Sequence, residues 1–183
     1  MSEPKTAEAV KLFASILYSE RGILPPVLET MVEEYGITDF VSSPRPFLYT
    51  DYYKREMGAS LERIFVSFEK LIRPETLPEI KLRTNELEKA FSRRGGERAV
   101  NVDPGYISPA HLILATGKGY THRPYLRDGI YADLTLIYSG RSFQTLPWTY
   151  PDYGEEGTRK MFKIIRTKYM AQLKNISVGI DNG

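Results

Sequence analysis

The chain has 183 residues, 42% apolar and 26% charged, with a net charge of +2. That length and balance fit one globular domain over residues 1–183 and exclude both a disordered chain and a strongly basic nucleic-acid binder. With no cysteine and only His111 and His122, disulfides, thiolate metal sites, cysteine nucleophiles and multi-histidine sites are excluded, while a carboxylate site for a divalent cation stays open.

Lys11 to Tyr18 reads as a central strand, apolar on both faces. Leu24 to Tyr35 reads as a helix, with Pro25 and Pro26 in its first turn and an apolar stripe through Val27, Leu28, Met31 and Val32. Gly36 is placed to close it with a left-handed cap. Ile37 to Val41 is a short strand, resuming at Phe47 to Thr50 after the break at Ser42 to Pro46. Asp51 to Gly58 reads as a loop or one helical turn. Leu61 to Lys70 is a strand with Ile64, Val66 and Phe68 on one side and Arg63, Phe65 and Ser67 on the other.

Thr76-Leu77-Pro78-Glu79 matches a capping box and opens a second helix with the stripe Leu77, Ile80, Thr84, Leu87 and Phe91. Ala99 to Ile107 reads as a strand that runs into a turn at Asp103-Pro104-Gly105. His111 to Thr116 is an apolar run of open type. Ile130 to Tyr138 and Arg141 to Leu146 form a hairpin about Ser139-Gly140. An aromatic loop, Pro147 to Gly154, precedes a helix over Glu155 to Leu173, and the tail after Lys174 is expected to be loose.

This order predicts an α+β fold. Its core is a ferredoxin-like βαββαβ unit with a mainly antiparallel sheet and helices on one face, extended by a C-terminal hairpin and helix. The N-terminus lacks the apolar run of a signal peptide, and no stretch is long and apolar enough to span a bilayer. The expectation is a cytoplasmic chain with no membrane contact.

Five segments and three scattered acids could carry chemistry. On the second helix Lys81, Thr84, Asn85 and Glu88 fall within about a quarter-turn arc, either lining a cleft or forming an amphipathic boundary. Asn101 and Asp103 share one strand face just before Pro104-Gly105, as functional groups or as turn caps. Lys118 to Tyr125 gathers Lys118, Arg123, His122 and two tyrosines, suited to an anion or simply an exposed basic loop. Gly117-Lys118 is not a phosphate loop, because Leu112 and Gly119 break the pattern. Asp51, Glu56 and Asp133 add acidic candidates. The last helix carries Arg159, Lys160, Lys163, Arg166, Lys168 and Lys174, either a solvated face or an RNA contact. The loop at Trp148 either staples the final helix or walls a pocket.

Several blocks resemble one family. They are Lys81 to Asn85, Asn101 to Tyr106, His122 to Leu126, Gly129 to Asp133 and Trp148 to Tyr153, with Tyr49 to Gly58 similar as well. Together they resemble the uncharacterised bacterial family called domain of unknown function 4416, over nearly the whole chain. The resemblance implies a bacterial or archaeal cytoplasmic protein and no activity. The family pattern departs at His111, which leaves His122 as the better histidine.

The site expected from these segments binds a small anionic molecule, such as a phosphorylated metabolite or nucleotide. Lys81, Asn85, Asn101, Asp103, His122 and Arg123 line it, with Tyr106 and Tyr131 as walls. Were it catalytic, His122 and Asp103 would be the acid–base pair, while Arg123 and Lys81 would hold the anion. No cofactor is called for beyond a divalent cation as an option, and no metal ligands are assigned. The alternatives are an RNA-associated module using the last helix, and an oligomeric or protein-interaction scaffold pairing through the hairpin edge.

Overall fold

All nine residues of the first strand, Val10–Tyr18 (β1), are buried. They alternate between two apolar clusters, so the strand needs cover on both faces. Leu12, Ala14, Ile16 and Tyr18 pack beneath Val27 and Met31 of α1 (Leu24–Tyr35) and Ile80 and Leu87 of α3 (Leu77–Ala90). Phe13 turns the other way, onto Met161, Phe162, Ile165 and Tyr169 of α5 (Glu156–Ile180). The computed structural model describes residues 3–49, 54–58, 60–93 and 95–180.

The remaining elements are β2 (Thr38–Val41), β3 (Arg45–Pro46), α2 (Lys54–Met57), β4 (Glu62–Ile72), β5 (Val100–Ile107), β6 (His111–Thr116), β7 (Tyr125–Arg127), β8 (Ile130–Ser139), β9 (Ser142–Thr145) and α4 (Pro151–Gly154). The strands form one sheet in the order β2-β4-β1-β5-β6-β8-β7. In addition β3 pairs with β4, and β9 with β8. Each of these pairings is antiparallel. The architecture is therefore mixed α and β on a mostly antiparallel open sheet.

The helices do not all share one face. α5 covers the side opposite α1 and α3, because Phe13 and Phe65 make that side apolar too. The chain does not turn at Asp103-Pro104-Gly105. β5 runs straight through, with Ser15, Ala14 and Phe13 of β1 opposite those three residues. Pro104 is tolerated because the ladder to β6 begins only at Gly105, so no partner asks for the missing N–H.

The capping box does not form either. A tight turn at Pro74–Thr76 precedes α3, and the Thr76 hydroxyl donates back to the Arg73 carbonyl at 2.7 Å. Glu79 instead pairs with Arg127. Gly36 has φ 90° but an extended ψ of −179°, so it ends α1 without a left-handed helical cap. The strand expected at Phe47 to Thr50 is displaced to Arg45–Pro46, while Thr50 and Asp51 lie outside the described residues. α5 continues to Ile180 instead of loosening after Lys174.

β7 was not expected. Asp128 (φ 54°) and Gly129 (φ 76°) form the two-residue turn that joins it to β8, and Asp-Gly is a strong signal for such a turn. The second hairpin turns on Gly140 and Arg141, both at positive φ.

Candidate functional site

The site begins as an opening in the sheet. β5 and β6 pair only over Gly105–Ile107, opposite Leu112–Leu114. From Val100 to Asp103, β5 pairs with β1 alone among the described residues. Backbone groups on the open side still need partners, and α3 supplies them. Glu88 Oε1 accepts the Val102 N–H at 2.9 Å, and Lys81 Nζ donates to the Val102 carbonyl at 2.9 Å. Lys81 and Glu88 stand two turns apart on one helix face, so their side chains reach one strand residue from both ends. A cleft of about 600 Å³ opens at this gap, within the range of small-molecule sites.

The floor is a chain of polar contacts. Lys81 Nζ lies 3.1 Å from Asp103 Oδ1 and 3.8 Å from Glu88 Oε1. Asn101 Nδ2 donates to Asp103 Oδ2 at 2.7 Å, and Arg98 Nη1 donates to Asn101 Oδ1 at 3.0 Å. Arg98 also reaches Glu56 at 2.5 Å, which holds the Glu56 carboxyl below its ordinary range.

Burial opposes ionisation of Asp103. The Lys81 charge and hydrogen bond, the Asn101 amide and the Arg63 charge outweigh it and hold this carboxyl below the usual range. For Glu88 burial wins. Its carboxyl is pushed up, although Lys81, the Val102 N–H and Arg98 pull the other way, and the Asp103 charge adds to the rise. Two neighbouring carboxyls are thus driven apart.

Two further walls close the cleft. On one side Arg63 of β4 pairs with Asp152 of α4, and its guanidinium lies 4.3 Å from the Phe47 ring centre. Tyr49, whose hydroxyl donates to Glu155, and Tyr153 complete this wall. On the other side stand Thr116, Lys118, Asp133 and Tyr150. Arg123 organises that side from behind. Its Nε donates to Asp133 Oδ2 at 2.8 Å, Nη1 to the Lys118 carbonyl at 3.1 Å and Nη2 to the Tyr150 hydroxyl at 2.6 Å.

Of the expected residues, Lys81, Asn85, Asn101 and Asp103 line one cleft. Arg123 and His122 stand outside its lining and meet it through Asp133. His122 Nε2 lies 3.7 Å from Asp133 Oδ2, and the imidazole stacks on Trp148 at 4.9 Å. The nearby carboxylate of His122 is thus Asp133, and no contact joins it to Asp103, so the expected acid–base pair does not assemble.

Tyr106 and Tyr131 are not walls. Tyr106 sits three residues past Asp103, which turns it to the other sheet face. It packs there beside Leu77, Ala115 and Ile130. Tyr131 lies against Gly119 and Tyr125. The loop at Trp148 does both things expected of it. Trp148 Nε1 bonds the Leu134 carbonyl at 2.8 Å, Tyr153 packs on Phe65 and Phe162, and Tyr150 and Asp152 face the cleft.

Arg63, Arg98 and Asp152 also line the cleft and lie outside the expected site, and Glu88 and Lys118, which the sequence places only among the candidate segments, join them. Arg63 did carry a signal, since a cation on a strand face shared with Phe65 needs an inward partner. Arg98 carried none. Among the described residues no group of three or more histidine or carboxylate side chains gathers to hold a metal ion. Asp51 lies outside the described residues.

Among the described residues no helix is long and apolar enough to cross a membrane. No curated protein and no solved structure matches the chain. One family model does, described as a domain of unknown function (DUF4416), over residues 8–169. The resemblance carried by the polar blocks therefore holds across most of the chain, which belongs to the DUF4416 family of unknown function.

Proposed function

We propose that this protein binds a small polar molecule in the cleft between β5 and β6. Lys81, Asn85, Asn101 and Asp103 would form its floor, and Arg63, Lys118, Tyr49 and Tyr150 its walls. The observation that carries this reading is the opening of the sheet itself. A strand gap inside a domain exposes backbone that would otherwise be paired, and here two charged side chains hold it open. Four strands, two helices and the loops between them place polar groups around the space.

The order β2-β4-β1-β5, with α1 and α3 on one face, supports a ferredoxin-like unit within the larger sheet. One continuous sheet supports a single domain.

The RNA reading is less well supported. Arg159 and Arg166 of α5 donate to the chain's own carbonyls at Gly154, Phe143 and Pro109, and Lys168 donates to that of Asp39. Those cations already serve the fold.

A thermal-shift panel on the full chain tests the proposal, using sugars, sugar phosphates, nucleotides, amino acids, divalent cations and short RNAs. A ligand at about 100 times its Kd adds about 2.7 kcal/mol, a shift of roughly 5–10 °C for a chain of this size. A shift from one small-molecule class that shrinks in Asn85→Ala supports the cleft. A shift from RNA alone overturns it.

A further inference from the structure

The charges of the cleft say which class of molecule it takes. This inference rests on the small-molecule reading above. Four cations line the space, Arg63, Lys81, Arg98 and Lys118, and four acids line it with them, Glu88, Asp103, Asp133 and Asp152. The charges are also joined locally. Arg63 pairs with Asp152, Lys81 with Asp103, and Arg98 with Glu88 and Glu56, while Asp133 is met from behind by Arg123. A site for a phosphate or polycarboxylate needs cations in excess of its own carboxylates. Here an incoming anion would compete with Asp152 for Arg63, with Asp103 for Lys81 and with two glutamates for Arg98.

What the floor offers instead is a set of adjacent donors and acceptors. Asp103 is held ionised, and 31% of its side chain is exposed. It is therefore an acceptor that welcomes an O–H and repels an anion. Lys81 uses two of its three N–H groups, on the Val102 carbonyl and on Asp103, and among the described residues the third has only Glu88 Oε1 at 3.8 Å, beyond hydrogen-bond length. One turn along α3 the Asn85 amide, half-buried in the lining, makes no hydrogen bond to the rest of the described chain and brings both a donor and an acceptor.

A hydroxyl is one donor and an acceptor in the same atom. Neighbouring hydroxyls match this floor, one donating to Asp103 while the next accepts from Lys81 and a third meets Asn85. Tyr49 and Tyr150, exposed by 41% and 46%, frame the cleft with rings whose faces suit the C–H side of a sugar. We infer that the cleft binds an uncharged polyhydroxylated molecule, of the sugar or cyclitol class, through Asp103, Lys81 and Asn85.

Calorimetric titration of the full chain tests this with glucose, galactose, ribose and myo-inositol, each at 50 and 500 mM salt, beside glucose 6-phosphate and inorganic phosphate. The expected result is binding of at least one neutral compound with little change between the two salts, and no tighter binding of its phosphorylated form. Asn85→Ala should weaken that binding about tenfold or more with the unfolding midpoint unchanged, since its amide holds no part of the fold. Asp103→Asn should weaken it further. Binding of glucose 6-phosphate or phosphate without any neutral compound overturns the polyol inference and leaves the small-molecule reading standing. If none of these binds and the broader panel also finds no small ligand, both readings fall.

Discussion

Glu88 takes the place of a strand beside Val102. Its carboxylate accepts the Val102 N–H at 2.9 Å on the side of β5 where β6 has moved away. Glu88→Ala would leave that donor unpaired inside the protein and strip Lys81 and Arg98 of a shared partner. A loss of ~3 kcal/mol is expected in urea denaturation. Glu88→Gln keeps an acceptor oxygen and should lose less. An alanine variant as stable as the parent chain would show that the carboxylate does not hold the gap open.

Gly105 marks the point where the two strands rejoin. A Cβ there would stand 2.4 Å from the Ile113 carbonyl oxygen and 2.8 Å from the Phe13 ring. The carbonyl belongs to the paired strand and cannot move aside without breaking the ladder. Gly105→Ala should cost about 1–3 kcal/mol. Gly22→Ala, with nothing within 4 Å of the added carbon, is the comparison and should be close to neutral. Equal denaturation midpoints for the two variants would contradict the steric argument.

Arg123 is expected to matter through what it holds. Asp133, with 3% of its side chain exposed, depends on it for an ion pair, and the Tyr150 hydroxyl and the Lys118 carbonyl depend on it for donors. Arg123→Ala should destabilise by ~3 kcal/mol because it leaves a buried carboxylate unpaired. Arg123→Lys keeps the charge but not the fork, and should fall between. The only tryptophan, Trp148, stacks on His122 beside this cluster. Its emission should therefore change in the alanine variant under folded conditions, and an unchanged spectrum would count against the linkage.

Acid should reveal the two carboxyls of the floor with opposite signs. The folded Asp103 carboxyl lies below its unfolded value of about 3.9. Its contribution is present above that pH and is lost as pH falls through the lower folded value. Glu88 is raised, so its contribution is present below its unfolded value of about 4.3 and is lost as pH rises through the folded one. The stability gap between the parent chain and Asp103→Asn should thus be wide at pH 6 and close as pH drops below 4. Glu88→Gln should gain on the parent chain as pH rises. Chemical denaturation across pH 3–7 measures both, and parallel curves would remove the coupling through Lys81.

What could be read from the residues alone were the elements that bury a stripe or a face. β1, α1, β4, α3 and β8 follow from apolar periodicity, because the need to bury an apolar face is written locally. The polar block on α3 and the pair Asn101 and Asp103 were also legible, since their spacing fixes which residues share a face. The sequence by itself thus determined the elements that bury an apolar face and which polar groups of one helix or strand share a side.

Only the tertiary structure decided the rest. Pro104 and Gly105 read locally as a turn, yet β1 extends the strand through them by pairing along its whole length. His122 and Asp103 were reasonable partners by type, yet the imidazole settles beside Asp133 on another strand. Arg63, Arg98 and Asp152 come to the cleft from β4, a loop and α4, which no local pattern relates. The physical reason is the same in each case. Burial and helix or strand period act over a few residues, whereas the pairing of charges and the opening between β5 and β6 depend on which distant backbone lies alongside.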